Sequence, residues 1–277
     1  MPSTGPEQNA VTLTAAAKMH IAPIFRADPV KVMFHGTSEQ MPNQGTMTFV
    51  EYKGHCFGIT NQHVTQDFKR VTANHAFMLA LKTHIPMPGR LIFSSTRSNI
   101  DFPYDVAIFI LNGDTVRAGG KVPAPLIHSS SPIVEGEKYL ALGYPGHIRG
   151  RVGDKSSHPI YDITATCRSI SDRVIVLQDD IPPAKSVMRF GGISGGAIIA
   201  PSDANDYTIV GIIFEGRGQH EDVEERTSAT DIWVYGIPIT TTWMDRILSD
   251  AESRNVSLDV RPRQFKLNVL VDGEPDQ

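Results

Sequence analysis

The chain has 277 residues, 40% of them hydrophobic and 20% charged, with a formal net charge of −4. That apolar content supports an ordinary globular core, and the acidic balance lacks the basic footprint of a nucleic-acid-binding protein. No apolar run reaches the ~18 residues of a membrane helix, and the first residues lack the basic and apolar regions of a signal peptide, so the expectation is a cytoplasmic protein. The two cysteines, Cys56 and Cys167, cannot make a disulfide framework, and no Cys/His cluster has zinc spacing; both read as small buried side chains. No metal or cofactor is expected.

In chain order, residues 1–20 are rich in Pro, Ser, Thr, Gly and Gln and read as a flexible arm. Short strand-like runs follow at 21–25, 30–34, 46–52, 55–60, 76–81, 90–93, 106–111, 139–142, 161–166, 173–177, 197–200, 208–214 and 233–239. Lys53-Gly54 marks a hairpin turn, and Pro88-Gly89, Asn112-Gly113-Asp114, Gly119-Gly120 and Tyr144-Pro145-Gly146 punctuate the rest. This pattern predicts an all-β protein. Residues 112–137 read as the linker between two β units, and the acidic run at 220–226 as a solvated loop. One helix is predicted at 240–248, with Trp243, Ile247 and Leu248 on one face and Thr240 or Thr241 as its cap. Residues 253–277 read as a tail, with strand-like alternation over 265–271.

Three stretches carry chemistry. In Gly192-Ile193-Ser194-Gly195-Gly196 a serine is flanked by glycines, which tolerate the positive φ and close backbone approach of a tight turn. Successive N–H groups of such a turn can converge where an oxyanion would form. A serine hydroxyl is a poor nucleophile without a neighbouring base. His63 is the candidate base, because it follows directly on the apolar strand that ends in Gly58-Ile59-Thr60-Asn61-Gln62. Asp105 heads the apolar run at 106–110 and is the candidate to orient that imidazole, with Asp101 and Asp114 as competitors.

The order His63, Asp105, Ser194, and the residues around each, resemble trypsin-like serine proteases of the chymotrypsin fold. The motifs look closest to HtrA-type and related bacterial trypsin-like peptidases. Ala141-Leu142-Gly143-Tyr144-Pro145-Gly146 and Tyr235-Gly236-Ile237-Pro238-Ile239 also match, and the likeness covers roughly residues 44–245. The resemblance implies two antiparallel six-stranded β-barrels with a short C-terminal helix. The first would span 21–120 and carry His63 and Asp105; the second would span 121–252 and carry Ser194. It also implies a Ser194 nucleophile, a His63 base, an Asp105 orienting acid and an oxyanion hole formed by the N–H groups of Gly192 and Ser194. The implied activity is peptide-bond hydrolysis of protein or peptide substrates, without nucleic acid or membrane as partner. Met188, Arg189, Phe214 and Glu215 are the implied lining of the specificity pocket.

The chain departs from the family in three ways. Ile193 stands where zymogen-activated trypsins carry Asp; the histidine-flanking cysteines of secreted trypsins are not both present; too few residues follow the helix for a PDZ domain. A catalytically silent member of the fold acting as a binding or scaffolding module is the alternative reading. An unrelated β-sandwich in which the Gly-Ser-Gly-Gly turn is only a turn is the other.

Overall fold

A computed structural model of the protein describes residues 14–27, 45–66, 76–82, 84–96, 98–99, 102–126, 133–145, 150–152, 155–158, 160–179, 192–201, 207–218 and 232–260. The runs expected at 30–34 and 265–271 and the acidic loop at 220–226 lie outside these residues.

The first lobe contains β1 (Ile21–Ala27), β2 (Gly45–Tyr52), β3 (His55–Thr60), α1 (Gln62–Gln66), β4 (Ala76–Ala80), β5 (His84–Pro86), β6 (Gly89–Ser95), β7 (Val106–Leu111), α2 (Gly113–Ala118) and β8 (Ala124–Pro125). Its sheet runs β5-β4-β1-β2-β3-β7-β6, antiparallel throughout, with β8 added parallel to β2. This lobe is therefore an eight-stranded sheet where six strands were expected. The β2–β3 hairpin turns on Lys53 and Gly54, whose φ of 49° and 76° are those of a two-residue type I′ turn.

The second lobe is a closed six-stranded barrel of β9 (Lys138–Gly143), β12 (Tyr161–Ile170), β13 (Ile175–Asp179), β14 (Ala197–Pro201), β15 (Tyr207–Gly218) and β16 (Ile232–Pro238). The remaining strands, β10 (Gly150–Val152) and β11 (Lys155–Ser157), pair as a separate hairpin. The architecture is all-β, in two lobes, with one longer helix at the end. One buried cluster crosses the seam, joining Phe57, Ile59 and Ile108 of the first lobe to Leu142, Ala197 and Ile199 of the second.

The long helix, α3 (Thr241–Ser253), starts where the sequence predicts: the Thr240 hydroxyl accepts from the Trp243 N–H at 3.1 Å. Trp243, Met244, Ile247, Leu248 and Ala251 are buried along one face. Trp243 stacks on Phe102 at 5.2 Å and meets Tyr104 edge-on at 5.9 Å. The helix thereby braces the segment that leads into β7. Among the described residues no helix is long and apolar enough to cross a membrane.

Two stretches differ from their reading as a turn and a flexible arm. The turn at Asn112-Gly113-Asp114 opens α2, because Asn112 Oδ1 accepts from Thr115 N at 2.8 Å. An Asx turn and an N-cap use the same side-chain-to-backbone bond, so local sequence does not separate them. Residues 14–20 form helical turns set against both lobes. Thr14 Oγ1 donates to Asp162 Oδ2 at 2.7 Å, and the buried His20 bridges the Val122 carbonyl and the Tyr207 hydroxyl. Burial pulls the His20 pKa below its usual value. The neutral ring therefore donates from Nδ1 to the carbonyl and accepts at Nε2 from Tyr207. Cys56 and Cys167 are unbridged and buried, and burial pushes the Cys56 thiol up to about 12.

Removing the α3 cap is the simplest test of this packing. Thr240→Ala should destabilise the protein by about 1 kcal/mol and lower Tm by about 2–4 °C in a calorimetric scan.

Candidate active site

The antiparallel pairing of β3 with β7 sets Thr60 opposite Ala107. The residues just past the end of β3 therefore lie beside those just before the start of β7. Asn61 and Asp105 are buried there, and His63 follows as the second residue of the short helix α1. His63 Nδ1 lies 2.5 Å from Asp105 Oδ2, and the His63 backbone N–H donates to Asp105 Oδ1 at 3.1 Å. Both carboxylate oxygens thus accept from one histidine, and the bond at Nδ1 places the ring proton there, leaving Nε2 as the free base. Asn61 Nδ2 donates to the Asp105 main-chain carbonyl at 2.8 Å, which holds the acid's backbone. The Asp105 side chain is 12% exposed and that of His63 48%, so the pair runs from the interior to the surface.

Of the competing acids, Asp114 sits in the first turn of α2, paired with Arg117 Nη1 at 3.5 Å and 95% exposed. It serves that helix and not His63. Asp101 lies outside the described residues.

The segment leading into Asp105 is also braced from within its own sheet and from the second lobe. Ser95 Oγ on β6 donates to the Phe102 carbonyl at 2.5 Å, and Tyr104 Oη donates to the Asp172 carbonyl at 3.0 Å. Together with the Trp243 contacts, these hold residues 102–104 between the two lobes and α3.

The glycine-flanked serine forms the tight turn predicted for it. Gly192 and Gly195 have φ of 100° and 88°, a region L side chains rarely enter. A Cβ on Gly195 would also stand 1.9 Å from the Thr46 carbonyl oxygen, and one on Gly196 2.1 Å from that of Leu142. The turn is closed by Gly196 N donating to Ile193 O at 2.8 Å and Gly195 N donating to Ile213 O at 2.7 Å. Ile193 is 1% exposed and packs in the second-barrel core with Ile198 and Ile213. An apolar anchor thus seats the turn.

The turn that carries Ser194 and the helix that carries His63 converge at Gly45. A Cβ at Gly45 would stand 2.6 Å from Val64, the neighbour of His63, and 3.3 Å from the Ser194 carbonyl. Ser194 Oγ donates to the Phe214 carbonyl at 3.3 Å, and among the described residues no hydrogen bond links it to His63.

For the specificity pocket, Met188 and Arg189 lie outside the described residues. Phe214 faces the site with its carbonyl, while its ring is buried in the cluster that crosses the seam, 6.1 Å from Tyr235. Glu215 is half-buried at a register shift in the β15–β16 pairing. Sequence reasoning did not single out the threonines of β2. Thr46 and Thr48, fully buried, both bond to the serine turn. Their alternate spacing on a strand was the available signal. Among the described residues no cluster of three or more His, Cys, Asp or Glu could hold a metal ion.

No protein-family model matches the chain, and neither does any curated protein. Solved structures do. A thermostable serine protease, AL20, from an extremophilic microorganism is 16% identical with a TM-score of 0.50, over 86% of this chain and 99% of that one. The scabies mite inactivated protease paralogue S-I1 is 14% identical with a TM-score of 0.52, over 84% of this chain and 96% of that one. At these identities the likeness is one of fold, and the fold is that of the chymotrypsin-like serine proteases.

Proposed function

We propose that the protein is a serine endopeptidase in which Ser194, His63 and Asp105 act as a catalytic triad. The observation that carries this reading is the His63–Asp105 pair at 2.5 Å, with no partner on Nε2 among the described residues, beside a glycine turn that presents Ser194. An exposed histidine oriented by a buried carboxylate has a ready chemical use next to a hydroxyl and little value to the fold.

In this mechanism the Ser194 hydroxyl turns from the Phe214 carbonyl to His63 Nε2 and gives up its proton as Oγ attacks the scissile carbonyl carbon. The carbonyl oxygen becomes an oxyanion held by the N–H groups of Gly192 and Ser194, each worth roughly 3 kcal/mol of transition-state stabilisation. His63 passes the proton to the amine as the C–N bond breaks, leaving an acyl-Ser194. Water repeats the cycle: His63 takes its proton, and the acid product and free serine are released. Asp105 holds the tautomer and offsets the charge on the imidazolium without taking its proton.

The apolar seating of Ile193 supports a turn that needs no ion pair with a new N-terminal amine to form. Within the fold the motifs favour an HtrA-type or related bacterial trypsin-like peptidase. Met188, Arg189, Phe214 and Glu215 are proposed to shape the specificity pocket, with Met188 favouring a medium apolar side chain.

The test is cleavage of a peptide library, read by mass spectrometry. Wild type should cleave, while Ser194→Ala, His63→Ala and Asp105→Asn should each lose about 10³-fold or more in kcat/KM. Cleavage that survives in Ser194→Ala contradicts the assignment, and folded wild type that cleaves nothing favours the silent binding module. Gly195→Ala should also be inactive and destabilised by more than about 2 kcal/mol, because both its φ and the Thr46 carbonyl oppose a Cβ.

A further inference from the structure

Resting on the protease reading, we propose that Thr46 is the positioning residue of the oxyanion hole: from the first lobe it grips the nucleophile turn of the second at two points. The last pair of the β2–β3 ladder on this side is Thr48 with Ile59, and β3 ends at Thr60. Two residues earlier on β2, Thr46 lies opposite Pro23 of β1 on one side and has no β3 residue opposite it on the other. The serine turn takes the missing strand's place. Thr46 N donates to the Ser194 carbonyl at 2.8 Å, and the Thr46 carbonyl accepts from Thr60 Oγ1 at 2.7 Å.

The Thr46 side chain adds a second hold. Its hydroxyl donates to the Gly192 carbonyl at 3.0 Å and accepts from the Tyr144 N–H at 2.9 Å. The hydroxyl is thus used in both directions, in a residue with no exposed surface. Thr48, on the same face of the strand, donates to the Gly195 carbonyl at 2.8 Å. Every carbonyl from Gly192 to Gly195 is then engaged: three by Thr46 and Thr48, and that of Ile193 by Gly196 N.

The consequence for catalysis is geometric. In a trans peptide N–H and C=O point opposite ways, so the engaged Ile193 carbonyl fixes the direction of the Ser194 N–H. The Thr46 hydroxyl fixes the carbonyl of Gly192 and so anchors the Cα that carries the other donor nitrogen, whose position is then set by the Gly192 φ of 100°. Donors held before substrate arrives need no reorganisation when charge develops. A hydroxyl on β2 therefore acts on the rate through the turn, without touching substrate.

Thr46→Val deletes the hydroxyl and keeps the shape and the main-chain bond. It should speed hydrogen exchange at the Gly195 and Gly196 amides by about tenfold or more, and lower kcat by about tenfold or more with KM within about twofold. Thr46→Ser should restore both, and Asn112→Ala, which removes the α2 cap at the end of β7 away from Asp105, should change neither. In wild type, the Tyr144 amide, one residue past the end of β9, should be strongly protected from exchange; this measurement stands even if Thr46→Val does not fold. Unchanged exchange in the turn of Thr46→Val, a serine variant no better than valine, or an unprotected Tyr144 amide overturns the proposal. Faster exchange in the turn combined with a wild type that cleaves no peptide leaves the positioning intact and removes the protease reading.

Discussion

The two lobes depend on a main-chain contact that only glycine permits. Gly195 sits so close to β2 that a Cβ would lie 1.9 Å from the Thr46 carbonyl oxygen and 2.4 Å from Thr60 Oγ1. Because no side chain intervenes, the Ser194 turn stands in for a strand beside β2, and the Thr46 N–H reaches the Ser194 carbonyl at 2.8 Å. Thr46 and Thr60 are fully buried, and an unpaired donor or acceptor on them would cost about 1–3 kcal/mol, so the seam is held to one arrangement. The buried apolar cluster that crosses the seam supplies non-directional adhesion; the turn supplies register.

Asp105 and His63 are held by a separate set of contacts with the same logic. The β3–β7 ladder brings Asp105 beside His63, and the approach to Asp105 is gripped by Trp243 of α3, Ser95 of β6 and the carbonyl of Asp172. Parts of both lobes and the C-terminal helix thus converge on residues 102–104, which lead into Asp105. The imidazole itself remains half exposed, which suits the proton exchange proposed for it. Rigid support behind a partly open residue is what the proposed general base would require, and it gives the final helix, remote in sequence, a part in that proposed site.

Much of this was legible because its signals are local. Ser194 lies among glycines, His63 at the end of an apolar run and Asp105 at the start of one, and each such pattern has a conformational reason. The strands of the second barrel were readable from the same punctuation. Where reading failed, one sequence pattern served two structures. Asn112 caps α2 with the bond that also makes an Asx turn. The Pro-, Ser-, Thr-, Gly- and Gln-rich character of residues 1–20 taken as one stretch concealed that Ala17 and His20 are buried against the body. Thr46 and Thr48 read as ordinary strand formers, since β-branched residues favour strands anyway. Only the approach of a segment some 147 positions away turns their hydroxyls into anchors. Helix α1 spans five residues, too few for a periodic signal.

The central claim is that this arrangement makes Ser194 chemically distinct from every other serine in the chain. Fluorophosphonate labelling of the native protein, with the adduct mapped by peptide mass, tests that claim most directly. The account predicts one adduct, on Ser194, absent from Ser194→Ala and from heat-unfolded wild type. An adduct on another residue, or none on folded wild type, would contradict it.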